Sequence, residues 1–416
     1  MYIKKLIKIG FIDVISMVNY DIAIVGGGPA GLSAAYTAAK AGTKVVLFER
    51  DKSIGQYVRT SGVSWISNMN NLGIPENLYN PIRNYRFISP NNEIIIKGSK
   101  YRSCVLDVRS LYQYLSFLAA KAGAEICIKS EVIDVLHSEN NNRVSGLIVN
   151  TLKGKIDVRS TLVIDASGFN SFIGRKLGYV SNWKRYGIGA EYECYCDEVN
   201  NETWTLMVGC QYSPAGYAWL FPLSKNRVRL GVGIGKPESN IDPINLLNKI
   251  IEKKLKPLDE LGKIQPIEYH YGYIPNQGTR DSTVFEGLIL VGDSAGQSNP
   301  LVLEGIRHAI EFGRLAGKIG SASLASNSSK NSLMEYETQW KNQICSKIAS
   351  ALRVQSRWIG LTDNEWDREI SILKDMTEEE FIDFISSEFS TKKMIKLAIN
   401  HPKLVARQLF NLIIKK

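Results

Sequence analysis

The amino-acid sequence predicts an α/β fold in which a nucleotide-binding domain with a parallel sheet is interrupted by an antiparallel sheet and followed by a helical region. The first observation is a strand, a glycine-rich turn, a helix and a second strand within Asp21–Arg50. The second is an alternation of aromatic or β-branched residues with polar ones over 184–275, interrupted by Gly and Pro. The third is another apolar strand at Leu288–Val291, after which helical patterns continue along the chain.

These patterns divide the chain into five expected segments. They are an N-terminal extension (1–19), the first part of the nucleotide-binding domain (20–183), an antiparallel substrate domain (184–275), the second part of the nucleotide-binding domain (276–320), and a C-terminal helical region with a basic amphipathic tail (321–416). A Ser/Asn-rich linker at Ser321–Ser332 is expected before the C-terminal helices.

The motif at Asp21–Arg50 has the spacing of a dinucleotide-binding fingerprint. Gly26 permits the tight turn, Gly28 lets backbone N–H groups approach a pyrophosphate, and Gly31 lets helix and strand pack closely. The helix N-terminus adds partial positive charge for the phosphates. Glu49 follows the second strand, where its carboxylate can accept hydrogen bonds from a ribose diol. Glycine-rich turns are common, but both strands and the acid in register favour a Rossmann-like dinucleotide site.

Several further elements follow from local patterns. We expect a helix from Asp107 to Gly123 and another from about Gly305 to Gly317. Residues 68–92, rich in Asn, Pro and Gly, are interpreted as irregular connection. The expected strands and turn between the two helices are 124–129, 132–136, a turn at Asn140–Asn142, 144–150 and Leu162–Ile164.

Composition excludes several classes of protein. The 416 residues, 44% of them hydrophobic, can bury two or three structural units but contain no apolar run long enough to span a membrane. The six cysteines include no C-x-x-C pair, and the four histidines do not cluster, so no metal or thioredoxin-like centre is expected. Cys194 and Cys196 are interpreted as structural residues on opposite faces of a strand. We expect a protein of the cytoplasmic side.

The formal net charge of +10 lies mainly at the two ends of the sequence. Residues 1–19 carry +2 and residues 389–416 carry +7, so the body is close to neutral and no nucleic-acid partner is expected. The first segment is either an alternative-start extension before Met17 or a short amphipathic helix. The segment Thr391–Lys416 predicts a basic amphipathic helix, with an apolar face at Leu404–Ile413, that lies on an anionic membrane or packs on the protein itself.

Three more sequence blocks resemble those of one flavoprotein group. Asp165–Arg175 resembles D-x-x-G-x-x-S-x-x-R, and Gly292–Pro300 is similar to a G-D-A-A-G-x-x-x-P segment that contacts the flavin ribityl chain. Tyr217–Pro222 matches Y-x-W-x-F-P and precedes Gly231-Val-Gly233. With the first fingerprint, these blocks resemble the FAD-dependent geranylgeranyl reductase family over roughly residues 20–320. The resemblance implies a Rossmann-like FAD-binding domain of the aromatic-ring hydroxylase type.

The resemblance and the local chemistry together name the expected FAD site. Asp293 would hold ribityl or ribose hydroxyls, or merely cap a helix, and N–H groups near Gly305 and Ile306 would face the flavin O2 region. Arg109 would reach the FAD phosphates or adenine, or remain a solvated arginine. The full set expected to bind FAD is Gly26, Gly28, Ala30, Gly31, Glu49, Arg50, Thr60, Ser61, Gly62, Arg109, Val132, Asp165, Gly168, Gly292, Asp293, Gly305 and Ile306.

The alternation of Tyr217, Trp219 and Phe221 places all three on one face of a strand. That face would line an apolar tunnel above the isoalloxazine, or it would pack as an aromatic core. The family's lipid reductases often carry a flavin-facing cysteine in a loop after the position of Glu49, whereas Arg59–Val63 has none. The expected catalytic residues are therefore Tyr217, Trp219 and Phe221, with Thr60 or Ser61 near the flavin.

The resemblance implies saturation of C=C bonds in a polyprenyl chain on a lipid, a quinone or a chlorophyll-type alcohol. Gly231–Gly235 is interpreted as a glycine-containing strand and not a second nucleotide site, so electrons would come from transient NAD(P)H contact or a ferredoxin-type protein. One alternative is an FAD-dependent monooxygenase or halogenase, although a tryptophan-type halogenase would show W-x-W-x-I-P. Another is a non-catalytic flavoprotein that relays electrons to a partner.

Overall fold

The computed structural model describes residues 18–138, 143–387 and 391–402 of the chain. Within these ranges, the strands are β1 (Val18–Val25), β2 (Val45–Phe48), β3 (Val63–Trp65), β4 (Tyr79–Ile82), β5 (Asn84–Ile88), β6 (Glu93–Lys97), β7 (Ser103–Leu106), β8 (Glu125–Cys127), β9 (Glu131–His137), β10 (Val144–Thr151), β11 (Gly154–Asp165), β12 (Tyr186–Cys196), β13 (Thr203–Gly209), β14 (Ser213–Pro222), β15 (Arg227–Lys236), β16 (Ile264–Pro275), β17 (Val284–Phe285) and β18 (Leu288–Leu290).

The same ranges contain helices before, between and after the strands. They are α1 (Pro29–Lys40), α2 (Ile66–Asn71), α3 (Val108–Lys121), α4 (Phe172–Lys176), α5 (Pro243–Glu252), α6 (Ile306–Ser323), α7 (Lys330–Trp358), α8 (Asp363–Leu373), α9 (Glu378–Ile385) and α10 (Thr391–Asn400).

The first large sheet is organised around β1. It has the order β17-β18-β11-β1-β2-β8, and β1 pairs in parallel with both β11 and β2. The β9–β10 hairpin continues from β11, and its apolar residues pack with one face of β1, while α1, α3 and α6 contribute to the core on the other face. All four residues of β2 are buried, as expected for a parallel strand covered on both faces.

Helix α6 continues past the end expected at Gly317 because its glycines are packing residues. A Cβ on Gly313 would lie 2.3 Å from the Ala30 carbonyl oxygen, and one on Gly317 would lie 2.4 Å from that of Ala34. The glycines therefore let α1 and α6 approach backbone to backbone. The linker expected at Ser321–Ser332 is correspondingly short, since α6 runs to Ser323 and α7 begins at Lys330.

The second large sheet has seven strands in the order β16-β12-β15-β14-β13-β5-β6. The interpretation of 68–92 as irregular is wrong, because this range contains α2, β4 and β5. Strand β5 pairs in parallel with β13, from Asn84 opposite Thr203 to Ile88 opposite Met207. The sheet thus takes two strands from outside 184–275, through a pairing of residues more than a hundred positions apart that local patterns do not register.

The two faces of the seven-stranded sheet have different neighbours. One face packs on α5, and Cys194 and Cys196 are both buried in that cluster. The expectation that these two cysteines face opposite ways is wrong, because residues two apart in a strand share a face. The other face carries Trp219 and Phe221 and packs against residues of α8 and α9. The aromatic face of β14 therefore lies against the C-terminal helices.

Several expectations concern the ends of elements and of the chain. The helix expected from Asp107 is α3, and Asp107 caps it by accepting a hydrogen bond from the Ser110 N–H at 3.1 Å. Strand β1 already begins at Val18, whereas the rest of the expected extension, the turn at 140–142 and the apolar face at Leu404–Ile413 lie outside the described residues. Among the described helices, none is both long and apolar enough to cross a bilayer.

Candidate active site

A cavity of about 650 Å³ lies where the two large sheets meet. The glycine-rich turn after β1 forms one end of its wall, the loop before α6 forms another part, and the aromatic face of β14 a third. The expected residues that line it are Gly26, Gly28, Ala30, Glu49, Arg50, Thr60, Ser61, Val132, Gly168, Tyr217, Trp219, Gly292, Asp293, Gly305 and Ile306.

Three glycines of the turn have different roles: Gly28 leaves room for a ligand, whereas Gly26 and Gly31 leave room for the protein's own backbone. Gly26 has a φ of +104°, and a Cβ there would meet the Ala166 carbonyl oxygen at 2.4 Å. A Cβ on Gly31 would lie 2.0 Å from the Gly26 carbonyl oxygen, which explains why this expected residue packs behind the cavity. In the part of the chain that the structure describes, nothing lies within 4 Å of a Cβ built on Gly28, at the N-cap of α1. This opening suits a pyrophosphate held by N–H groups.

Glu49 stands at the carboxyl end of β2, where the fingerprint predicts the ribose-binding acid. Its carboxylate accepts hydrogen bonds from the Gly27 N–H at 2.7 Å and from the Asp51 N–H at 2.9 Å. These bonds fix the side chain beside the glycine turn, and each carboxylate oxygen keeps a lone pair for a ligand hydroxyl. Arg50 lies next to it on the cavity wall.

Asp293 faces the cavity from the turn after β18. No hydrogen bond to its carboxylate is found among the described residues, and burial raises its pKa to about 7. A half-buried carboxylate without donors of its own is suited to ligand hydroxyls. Gly305 caps α6 without a side-chain hydrogen bond, so the first N–H groups of this 18-residue helix remain available near Asp293. This arrangement fits the ribityl and O2 regions of a flavin.

Asp165 has a structural position and does not line the cavity. It is fully buried and accepts hydrogen bonds from the Ile173 N–H at 2.9 Å and from the Ser167 hydroxyl at 2.5 Å. Ser294 Oγ of the neighbouring turn also lies 3.4 Å from it. Burial raises the pKa of Asp165, and these hydrogen bonds oppose that shift. The carboxylate therefore joins the turns that carry Gly168 and Asp293.

Arg109 also lies away from the cavity wall. Its guanidinium donates to the Gly55 carbonyl at 3.1 Å and forms an ion pair with Glu268 of β16. The guanidinium thereby fixes the loop after β2 to the second sheet. The structure thus brings Arg109 to a protein carboxylate, whereas a phosphate or adenine contact was expected. The sequence gives no sign of this pairing, because the partners are 159 residues apart.

A buried arginine holds the loop that carries Thr60 and Ser61. Arg229 of β15 is 2% exposed and donates to the Ser61 carbonyl at 2.8 Å and to the Leu106 carbonyl at 2.9 Å. Gly62 has a φ of +79° and turns the chain into β3, so this expected residue borders a smaller cavity of about 50 Å³ instead of the main one. The Thr60 and Ser61 positions on the main wall are therefore rigidly set.

The aromatic face of β14 is as the sequence predicts, but its members have different neighbours. Tyr217 and Trp219 line the main cavity, while Phe221 borders only the smaller one. Burial raises the Tyr217 pKa, and its hydroxyl donates to the Val302 carbonyl at 2.6 Å. Phe221 stacks on Trp219 with ring centroids 6.1 Å apart, which makes it a support for that ring.

The glycines near Trp219 make room for its indole. A Cβ on Gly231 would lie 2.2 Å from Trp219 Cζ2, and one on Gly233 would lie 3.3 Å from Cζ3. Both glycines belong to β15, which pairs with β14 through Gly231 opposite Trp219. The interpretation of Gly231–Gly235 as a glycine-containing strand is therefore confirmed.

Sequence reasoning missed two groups of residues on the cavity wall. Glu191 of β12 and His270 of β16 are each 3% exposed and face one another beside Trp219. Only the sheet register brings them together. A second group is apolar and comes from the C-terminal helices; it includes Val354, Trp358, Trp366, Ile370, Leu373, Phe384 and Ile385. The helical pattern after residue 330 predicts these helices, but it does not predict that they cover the cavity.

Comparisons with known proteins agree with the geometry. Residues 21–172 match the family model described as FAD dependent oxidoreductase, and residues 186–274 match the one described as geranylgeranyl reductase catalytic domain. The structure of a geranylgeranyl bacteriochlorophyll reductase-like protein from Thermoplasma acidophilum is similar, with a TM-score of 0.83, 27% identity and coverage of 95% of this chain and 100% of that one. The flavin-dependent brominase Bmp2, at a TM-score of 0.66 and 20% identity, covers 94% of this chain and 99% of its own and shares the fold.

Curated relatives extend the similarity along most of the chain. Digeranylgeranylglycerophospholipid reductase 2 of Methanothermobacter thermautotrophicus is 31% identical over 357 residues, which are 84% of this chain and 90% of the relative. Digeranylgeranylglycerophospholipid reductase 1 of Methanococcoides burtonii is 31% identical over 389 residues, 91% and 93% of the two chains. The expected fold, the FAD cofactor and the class of FAD-dependent oxidoreductase acting on C=C bonds are thereby confirmed. The chain belongs to the digeranylgeranylglycerophospholipid reductase family.

Proposed function

We propose that this protein saturates the C=C bonds of geranylgeranyl chains carried by a glycerophospholipid. The observation that carries the proposal is the continuity of the cavity, which passes from the glycine turn and Asp293, past Trp219, to an apolar lobe beneath α7, α8 and α9. The family relatives are named for this class of lipid substrate. A polyprenyl chain needs a long apolar channel, and the cofactor needs the polar end.

The residues divide between the two ends of the cavity. The backbone at Gly28, the Glu49 carboxylate and the Asp293 carboxylate would hold the pyrophosphate, the ribose and the ribityl chain of FAD, which when reduced supplies a hydride to the alkene. Trp219 and Tyr217 would form the wall that orients one isoprene unit, and Thr60 and Ser61 would close the same space from the opposite loop. The apolar lining also excludes bulk water.

Anaerobic turnover tests this function. Protein loaded with FAD and reduced with dithionite should convert a digeranylgeranyl glycerophospholipid to products heavier by one H2 per reduced bond, detected by mass spectrometry. A monooxygenase or halogenase of the same fold should give no product without oxygen, and a non-catalytic electron carrier should give none in either condition. An unchanged lipid mass with fully reduced flavin would contradict the proposal.

We propose further that NAD(P)H or a ferredoxin-type protein reduces the flavin, and that the protein contacts the membrane peripherally. The second point is supported by α10, where Ile395 is 55% exposed and Ile399 is 72% exposed one turn later. Lys396 is exposed on the same helix. An amphipathic helix of this kind binds anionic bilayers through apolar insertion and lysine charge.

Cosedimentation with phosphatidylglycerol vesicles tests the membrane contact. The double variant Ile395→Glu/Ile399→Glu should lose most of its vesicle binding, because two apolar side chains are replaced by charges that anionic lipid repels. Leu152→Glu, at a position 81% exposed on a hairpin, is the control and should bind as the parent does. Equal binding by all three proteins would contradict a role for α10.

A further inference from the structure

A carboxylate–imidazole pair lies directly beside Trp219 on the cavity wall. His270 Nδ1 is 2.8 Å from Glu191 Oε1, and the other carboxylate oxygen accepts a hydrogen bond from Trp219 Nε1 at 2.6 Å. Glu191 and His270 are opposite one another in the β12–β16 register, and both line the cavity. Glu191 therefore fixes the orientation of the imidazole and of the indole together.

The other nitrogen of the imidazole is buried and unsatisfied. His270 Nε2 has no hydrogen-bond partner among the described residues, although Glu268 Oε1 lies 3.4 Å away. Glu268 is 32% exposed on its side chain and pairs with Arg109, which is 40% exposed. The imidazole thus lies between Glu191, which holds Nδ1, and the partly exposed Glu268, which lies beside Nε2, while the ring itself lines the cavity.

The charges around the pair are balanced between carboxylates and guanidinium groups. Arg229 lies 3.7 Å from Glu191 and 3.3 Å from Glu193, and Arg227 pairs with Glu193 from the outer side. Two carboxylates therefore face two guanidinium groups, and Glu268 faces Arg109. The ionisable groups that meet His270 are Glu191 from β12 and Glu268 from its own strand, with Arg229 of β15 and Arg109 of α3 behind them.

Other polar groups near Trp219 are less suited to donating a proton. The Tyr217 hydroxyl is bound to the Val302 carbonyl and burial raises its pKa, while the Trp219 N–H is bound to Glu191. The hydroxyls of Thr60 and Ser61 are weak acids. His270 combines a position on the cavity wall, an orienting carboxylate and a connection to solvent, the three features required of a general acid.

We propose that His270, oriented by Glu191, is the general acid of the reduction, an inference that rests on the proposed function. Its Nε2–H bond breaks as a C–H bond forms at the alkene carbon that does not receive the hydride. The hydride and its two electrons come from reduced FAD, so the alkene is reduced and FAD is oxidised. His270 then recovers a proton from solvent through Glu268.

Anaerobic stopped-flow mixing of reduced, FAD-loaded enzyme with a geranylgeranyl lipid tests the role. His270→Gln should slow flavin reoxidation by about 100-fold, within the range for loss of a general acid, with FAD affinity unchanged. Because the protonated imidazole is the donor, the wild-type rate should fall as pH rises, and this dependence should vanish in the variant. Added imidazole should restore part of the rate. His137→Gln, at an exposed histidine at the end of β9, should behave as wild type.

A second measurement needs neither substrate nor turnover. In histidine NMR of the FAD-free protein, the His270 Nδ1–H signal, assigned by its loss in His270→Gln, should move upfield and exchange faster with solvent in Glu191→Gln than in wild type, because the 2.8 Å hydrogen bond to a carboxylate is lost. The proposal is overturned if His270→Gln reoxidises within three-fold of wild type, if imidazole gives no rescue, or if Glu191→Gln leaves this signal unchanged. Absence of reoxidation in the wild type would contradict the proposed function itself, and this proposal with it.

Discussion

At the scale of single residues, the site depends on where side chains are missing as much as on where they are present. The indole of Trp219 occupies space that a methyl group on β15 would take. The Asp293 carboxylate lies half-buried and has no donor among the described residues, in the position expected for a ligand hydroxyl. The space beside Trp219 and the role of the Asp293 carboxylate can each be tested with a single substitution.

Gly231→Ala should displace Trp219, because the new Cβ would lie 2.2 Å from its ring. Overpacking of this kind costs about 1–3 kcal/mol of unfolding free energy, and turnover of the prenyl lipid should fall more than ten-fold. Gly189→Ala is the matched control, since its Cβ would lie at an ordinary 3.5 Å from the same ring. Thermal unfolding and turnover should separate the two variants, and equal behaviour would mean that the indole position is not fixed by β15.

Asp293→Asn should change how stability depends on pH in the FAD-free protein. The folded-state pKa is raised to about 7, so between pH 4 and 7 the unfolded chain releases a proton that the folded protein keeps, and wild-type stability falls as pH rises. The Asn variant lacks this loss, and its advantage should grow by at most about 1.4 kcal/mol per pH unit, then level off above pH 7. Urea unfolding at several pH values measures the difference.

The exposed Asp259→Asn serves as the control for this pH series and should show a constant offset from wild type. With FAD present the order of the two proteins should reverse, because the ribityl hydroxyls favour the carboxylate. A pH-independent difference between Asp293→Asn and wild type would contradict the assignment of Asp293 as a ligand-facing acid with a raised pKa.

At the scale of elements, the N-terminus of α1 and the whole length of α6 explain how the cofactor site is held. Three close backbone contacts, at Gly31, Gly313 and Gly317, fix α1 against the turn after β1 and against α6. Gly28 makes no such contact. The glycines of one motif therefore divide into those that fold the protein and one that leaves space for a ligand.

Gly28→Ala should separate these two roles. The residue is at the N-cap of α1 with an extended backbone, so alanine should change the stability of the FAD-free protein by only about 0.5 kcal/mol, while FAD affinity should fall at least ten-fold because the methyl group occupies the phosphate position. Gly31→Ala should instead destabilise the FAD-free protein by a few kcal/mol. Thermal melts and flavin fluorescence titration distinguish them. Normal FAD affinity in Gly28→Ala would contradict the phosphate position.

At the scale of the whole molecule, one cavity joins segments that are far apart in the chain. The nucleotide-binding sheet supplies the polar end, the seven-stranded sheet supplies the aromatic wall, and α7–α9 supply the apolar lobe. This continuity suits a chain-shaped substrate, since a flavin alone would occupy only the polar end of the cavity. The length of the lobe should then limit the length of the substrate.

Leu373→Trp should shorten the apolar lobe, because Leu373 is 8% exposed at the end of α8 and lines the cavity. Turnover of a geranylgeranyl lipid should fall about ten-fold or more, whereas a lipid with shorter geranyl chains should react nearly as before. Leu152→Trp, on an exposed hairpin, controls for the added indole. An equal loss with long and short chains would contradict the lobe as the channel for the prenyl chain.

The sequence by itself determined the parts whose physics is local. The turn at Gly26–Gly31, the acid after β2, the alternation in Tyr217–Phe221 and the start of α3 all depend on residues a few positions apart, so local patterns predict them. The family resemblance also implied a cofactor role for Arg109 and Asp165, which the structure instead places in an ion pair with Glu268 and in a buried turn.

Tertiary structure decided what depends on pairing between distant segments. The addition of β5 and β6 to the second sheet, the meeting of Glu191 with His270, and the placing of α7–α9 over the cavity each bring together residues whose separation in the chain leaves no periodic trace. Such contacts are fixed by sheet register and by the burial of whole faces, which are properties of the assembled fold. The cofactor end of the site therefore follows mainly from local sequence patterns, whereas the substrate end depends mainly on contacts made in the folded protein.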